Sequence, residues 1–210
     1  MIRLNRRSLL RSIGSAGLWG VGAFLLPAAT FARAERAEAL GGALPVDGQP
    51  APPFQLDGVA PDGSDPGGTT PVRLSLEDFA GQWLVLYFYP RDFTGGCTLE
   101  ARGFQRDLGA FKALNTAIVG VSADRPDQHS SFCESEGLAF PLLSDPDGSV
   151  SKRYGSWIPP FSQRHTFLID PQGQLREHWV GVRPSGHSQE VLEAVKALQA
   201  SGAPVPTATV

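Results

Sequence analysis

Residues Trp83–Leu114 read WLVLYFYPRDFTGGCTLEARGFQRDLGAFKAL, and a change of period inside this stretch decides the fold class. Trp83–Tyr89 is a continuous apolar run, partly β-branched and aromatic, stopped by Pro90. Such a run reads as a central strand buried on both faces. From Cys97 to Leu114 the spacing turns helical: Cys97, Phe104, Leu108 and Phe111 share one face, and Arg102 and Arg106 point elsewhere. A buried strand running straight into an amphipathic helix is the opening of an α/β unit.

The flanking sequence continues the alternation. AIVGVSA (Ala117–Ala123) is a second buried strand, and a helix is predicted over Pro126–Glu136 with Gly137 as its stop. AFPLL (Ala139–Leu143) reads as a short strand, SDPDG as a turn, and Val150–Tyr154 as one helical turn. HTFLID (His165–Asp170) and LREHWVGV, joined by PQGQ, form a hairpin. HSQEVLEAVKALQA closes the pattern with a helix whose stripe is Val191, Leu192, Val195 and Leu198. Upstream, residues 35–80 are rich in Gly, Pro and Ala and read as extended pieces joined by turns, including a small hairpin. The expected fold is an α/β sandwich with a mixed central sheet flanked by helices and an N-terminal hairpin extension.

Residues 1–34 stand apart. MIRLNRRSLLR carries four arginines and no acid, an apolar run follows from Ile13 to Ala29, and Ala32-Arg33-Ala34 has the form of a cleavage site. This is the layout of an export signal. Arg6-Arg7 is similar to the pair of the twin-arginine route, although Asn5 and Leu9 depart from its usual flanks. A membrane anchor is the weaker reading, because the apolar run holds four glycines and a proline. The expected organisation is an export signal over 1–34, a linker over 35–44, one domain over 45–199 and a disordered tail over 200–210. The destination is a periplasm or thylakoid lumen, with membrane contact only through the signal. Five of the chain's 18 basic residues lie in the signal, which leaves 13 against 21 acids, a formal charge of −8. So acidic a chain repels a phosphate backbone, which disfavours nucleic-acid binding. Two cysteines and four histidines show no metal-ligand spacing, and neither a metal nor a cofactor is expected.

Cys97 lies at the strand-to-helix junction, where open α/β sheets build their sites. The first turn of a helix favours an anion, and a thiolate is the reactive form of cysteine. Gly95 and Gly96 let the backbone approach a small ligand, Thr94 brings a hydroxyl, and Pro90 ends the strand and can wall the pocket. In FYPRDFTGGCTLEA, Pro90, Thr94 and Cys97 stand as P-x-x-x-T-x-x-C. This element resembles the active-site loop of the peroxiredoxins. YFYP, FPLLSD, RHTFLID and GHSQEVLEAVKAL are similar to the bacterioferritin-comigratory, or Q, branch, and the resemblance runs from about Pro45 to Leu198.

The resemblance implies a thioredoxin-like fold and a thiol peroxidase acting on hydrogen peroxide and organic hydroperoxides. Cys97 would be the peroxidatic residue, Thr94 and Gly96 would contact the substrate, Arg164 would stabilise the thiolate and the leaving oxygen, and Pro90 would shield the sulfur. His165 alternates to the other face of its strand and is no base. Glu100 either orients an arginine or serves as an acid of the helix's first turn. Two departures matter. Gly95 stands where proline is common in the family. Arg102 occupies the place, five residues after Cys97, that holds the resolving cysteine in many members. The resemblance then makes Cys133 the resolving residue, through a Cys97–Cys133 disulfide reduced by a thioredoxin-like donor, in a monomeric enzyme. His129, one turn before Cys133, either tunes it or is a solvated helix residue. Two other readings compete: an exported binding or scaffold module with a structural Cys97–Cys133 disulfide, and a thiol–disulfide oxidoreductase, which the missing CxxC disfavours.

Overall fold

The structure is a computed structural model and describes residues 38–39, 41–63 and 68–202. β1 (Glu38–Ala39) and β2 (Gly42–Ala43) form a short antiparallel pair. β3 (Gln55–Pro61) and β4 (Thr69–Ser75) are the expected hairpin. The alternating part follows: β5 (Trp83–Phe88), α1 (Gly95–Ala113), β6 (Thr116–Ser122), α2 (Pro126–Glu136) and β7 (Leu142–Ser144). After α3 (Ser149–Arg153) comes a second short pair, β8 (Trp157–Ile158) with β9 (Phe161–Ser162). The hairpin β10 (His165–Ile169) and β11 (Leu175–Val180) then leads into α4 (His187–Ala200).

Seven strands make one mixed sheet in the order β11-β10-β5-β6-β7-β3-β4. β5, β6 and β7 run parallel, which requires the α1 and α2 crossovers; the other pairings are antiparallel. β5 is central and buried on both faces. Val85, Tyr87 and Tyr89 pack under Phe104, Phe111, Phe132 and Val195 on the face covered by α1, α2 and α4. Leu84, Leu86 and Phe88 face Phe54, Phe79, Val150 and Tyr154 on the other. The thioredoxin-like α/β architecture read from the sequence is the architecture found.

Some local expectations are corrected. α1 begins at Gly95, two residues before the expected start, with Thr94 at its N-cap. β7 is Leu142–Ser144 and not Ala139–Leu143, because the parallel register with β6 opens at Leu142 opposite Gly120. The linker expected over 35–44 is in part structured. Leu44 is a core residue, and Gly41 bridges Ser156 so closely that a Cβ there would lie 2.5 Å from the Gly155 carbonyl oxygen. The export signal over 1–34 and most of the tail over 200–210 lie outside the described residues. Among the described residues no helix is long and apolar enough to cross a membrane, and no cluster of His, Cys, Asp and Glu could hold a metal ion.

Candidate active site

β5 carries the chain to the rim of the sheet, where Tyr89 still donates its N–H to the Val121 carbonyl. The half-buried Pro90, which has no N–H to offer the ladder, ends that pairing. The loop then turns into α1. Cys97 lies in the first turn of the helix, 1% exposed. Two donors meet its sulfur: Thr94 Oγ1 at 2.8 Å and Arg164 Nη2 at 3.3 Å. Thr94 makes no capping bond to the helix; its hydroxyl lies between Cys97 Sγ and the Arg91 carbonyl at 3.0 Å. A hydroxyl has one proton and two lone pairs. It can therefore donate to a thiolate, or accept from a thiol while donating to Arg91.

Arg164 lies 67 residues further on, immediately before β10. β10 pairs with β5 so that His165 lies opposite Phe88, which sets the preceding Arg164 beside the rim that carries Cys97. His165 is buried, with Nδ1 accepting the Gly181 N–H at 3.4 Å, and burial lowers its pKa. Gly96 explains why Arg164 comes so close, since a Cβ at that position would sit 3.1 Å from Arg164 Nη2. At Gly95 a Cβ meets nothing within 4 Å, so the departure from proline there is spatially neutral.

Arg164 also donates through Nη1 to Glu100 Oε2, and Glu100 is 1% exposed. Of its two readings, the one that orients the arginine is the one the geometry shows. Burial pushes the Glu100 carboxyl up to about 7 against the pull of Arg164, and its second oxygen is buried without a partner. Burial works against the charge of Arg164, but Glu100 and Cys97 outweigh it and hold the guanidinium above its ordinary pKa. Cys133, in the last turn of α2, is 0% exposed; burial first, and then the charge of Asp92, push its thiol up to about 12. Both cysteines are free.

One polar cluster escaped the sequence reading. His129 is not a solvated helix residue: it is 0% exposed, with Nδ1 2.8 Å from Asp92 Oδ2 and Nε2 3.2 Å from the Leu143 carbonyl oxygen. Asp92 also accepts from the Tyr89 hydroxyl at 2.7 Å and donates its N–H to Asp124 at 2.8 Å. Aspartate two residues after a strand-ending proline looks like turn chemistry, and only the fold reveals its distant partner.

The chain is similar to known proteins over most of the described residues. The AhpC/TSA family model matches residues 48–178. Peroxiredoxin Bcp of Xanthomonas campestris is 40% identical over 140 residues, covering 62% of this chain and 85% of that protein. Peroxiredoxin Bcp of Bacillus subtilis is 36% identical, over 71% of this chain and 94% of that one. Among solved structures, a Xanthomonas campestris peroxiredoxin Q superposes with a TM-score of 0.61 at 36% identity, covering 69% of this chain and 90% of its own. A structure of the bacterioferritin comigratory protein of Xanthomonas campestris, described in connection with its alkyl peroxide reduction activity, gives 0.58 at 35% identity, with the same coverage.

Proposed function

The chain belongs to the AhpC/TSA family and is a peroxiredoxin, a thiol peroxidase, and from that premise we propose that Cys97 is its peroxidatic residue and Cys133 its resolving one. The observation that carries the reading is the pair of donors on Cys97 Sγ, Thr94 Oγ1 and Arg164 Nη2. Both stabilise a thiolate, and both stand where the two oxygens of a peroxide must come.

The thiolate sulfur attacks one peroxide oxygen in line with the O–O bond. That bond breaks, the sulfur is oxidised to a sulfenic acid, and the other oxygen leaves with the electron pair, taking a proton to become water or an alcohol. Arg164 faces the charge that grows on the leaving oxygen, and its own position is held by Glu100. Thr94 turns its proton from the sulfur to the substrate oxygen. In the second half, the Cys133 sulfur attacks the sulfenic sulfur. The S–O bond breaks, hydroxide leaves and combines with the proton given up by the Cys133 thiol, and a Cys97–Cys133 disulfide and water result. A dithiol donor of thioredoxin type then reduces the disulfide. Both sulfurs are buried, and disulfide geometry tolerates little Cα separation, so the second half requires the first turn of α1 or the last turn of α2 to open.

The substrates proposed are hydrogen peroxide and organic hydroperoxides, the latter supported by the alkyl peroxide activity ascribed to the Xanthomonas relative. Residues 1–34 are proposed to export the enzyme by the twin-arginine route, and cell fractionation with N-terminal sequencing of the mature chain tests this. The chemistry is tested by rapid mixing with peroxide and mass spectrometry of the products. Cys97→Ser abolishes turnover, and Cys133→Ser reacts once at the normal rate and then accumulates sulfenic and over-oxidised Cys97. Equal, slow oxidation of both cysteines would instead return the scaffold reading.

A further inference from the structure

Asp92 belongs to the loop that leads into Cys97, and His129 belongs to the helix that carries Cys133. The two are joined by a contact of 2.8 Å, with Asp92 3% exposed and His129 0%. Both ring nitrogens of His129 face oxygen atoms, Nδ1 towards Asp92 and Nε2 towards Leu143, and the Tyr89 hydroxyl lies 3.4 Å from Nδ1 as well. A hydrogen bond with an ionised donor or acceptor is about twice as strong as a neutral one, and stronger still when water is excluded. The next residue, Phe93, has φ +59, a backbone conformation that a bulky side chain seldom adopts. Its ring is 55% exposed and stands edge-on to Phe132, immediately before Cys133. A strained residue persists only where its surroundings over-determine it. The Asp92 bonds on one side and the Thr94 bonds on the other are those surroundings.

We propose that the Asp92–His129 pair is a latch on the resolving step: it ties the loop leading into Cys97 to the helix bearing Cys133, and so sets how often sulfenic Cys97 closes to the disulfide before a second peroxide reaches it. This rests on the assignment of Cys133 as the resolving residue. Where the first turn of α1 opens, the loop ahead of it must move as well, and the Asp92–His129 contact holds that loop to α2. The competing step is oxidation of Cys97–SOH by a second hydroperoxide to Cys97–SO2H, with release of an alcohol or water. A tighter latch favours that over-oxidation, and a looser one favours the disulfide. Asp92 and His129 touch neither Cys97 nor Arg164, so they are positioning residues.

Asp92→Asn tests the latch together with Tyr89→Phe, because removing the charge of Asp92 also relieves the Cys133 thiol beside it, which Tyr89→Phe does not. The asparagine can still accept from Tyr89 and donate to a neutral His129, so every bond is retained while the charge is removed. Rapid quenching with thiol alkylation and mass spectrometry separates two rate constants, oxidation of Cys97 and closure of the disulfide. Closure should be about fivefold faster, with correspondingly less sulfinic acid per turnover, while oxidation of Cys97 stays within about twofold. Tyr89→Phe, which deletes the hydroxyl lying 2.7 Å from Asp92 and 3.4 Å from His129, should shift closure the same way by about twofold, and it decides the matter alone if Asp92→Asn does not fold. Phe79→Leu, in the core on the opposite face of the sheet, controls for general destabilisation and should leave both rate constants unchanged. Closure at the wild-type rate in Tyr89→Phe, whatever Asp92→Asn does, or a loss of Cys97 oxidation as large as the change in closure, overturns the latch. A wild-type chain that never forms a Cys97–Cys133 disulfide overturns the resolving assignment and the latch together.

Discussion

Gly95 and Gly96 are adjacent in sequence, and their surroundings demand opposite things. A methyl group at Gly96 would press on Arg164 Nη2 at 3.1 Å, and one at Gly95 would meet nothing. Gly96→Ala therefore displaces the guanidinium from Cys97 and should slow peroxide reduction about tenfold, a distance-sensitive loss of one donor. Gly95→Ala should leave the rate unchanged and stabilise the fold by up to about 1 kcal/mol through reduced backbone freedom. Stopped-flow rates and melting curves on the pair check both statements, and equal rates would place Arg164 elsewhere in solution. Thr94→Val removes the hydroxyl on the sulfur with little change of shape. A loss of about 10²–10³ in the peroxide rate constant is expected for one lost transition-state donor, against no change if Thr94 merely ended the strand-to-helix turn. The local chemistry of the strand-to-helix junction made Cys97 and Thr94 legible, whereas Arg164, 67 residues away, entered only through the resemblance of RHTFLID to the peroxiredoxins. It left Glu100 balanced between two roles, because a carboxylate in a first turn satisfies the helix dipole whether or not an arginine stands above it. Asp92 and His129 were illegible as a pair for a plainer reason: 37 residues separate them, and no local pattern encodes their contact.

At the scale of elements, α2 carries the sulfur proposed to resolve Cys97 in its last turn. The Cys133 carbonyl accepts from both Gly137 and Leu138, and Gly137 has φ +61, the left-handed conformation that ends a helix. Gly137→Ala should cost about 1 kcal/mol at this cap. Part of that cost falls on the turn that must open, so disulfide closure should accelerate up to about fivefold while Cys97 oxidation is untouched. Closure at an unaltered rate would mean that α1 alone opens. α2 itself was readable to the residue, with Pro126 inside its start and Gly137 past its end. α1 was not, because Gly95 and Gly96 read as loop and the helix claims them. The strands β1, β2, β8 and β9 are two residues each, too short to show any period, and they exist through pairing alone.

For the whole molecule, the cost of the site appears as a dependence of stability on pH. Glu100 has a folded pKa of about 7 against 4.5 for the free side chain, so between those values the folded chain holds a proton that the unfolded chain releases. The contribution of Glu100 to stability is therefore full below pH 4.5, falls as the pH rises towards 7, and is flat above. The difference amounts to about 3 kcal/mol at most. His165 and His187 act with the opposite sign in an overlapping window. Burial lowers both below 6.5, so their contribution is present above that value and is lost as the pH falls. The wild-type profile alone mixes these slopes, and comparison with Glu100→Gln isolates one of them, since the amide keeps the shape and cannot ionise. Denaturant unfolding of the reduced proteins at pH 5 and pH 8 should show the variant gaining on the wild type by roughly 1–3 kcal/mol between the two. A constant difference would mean that Arg164 keeps Glu100 ionised throughout. The guanidinium would then be shared permanently between carboxylate and sulfur, and would not be released to the sulfur when Glu100 takes a proton.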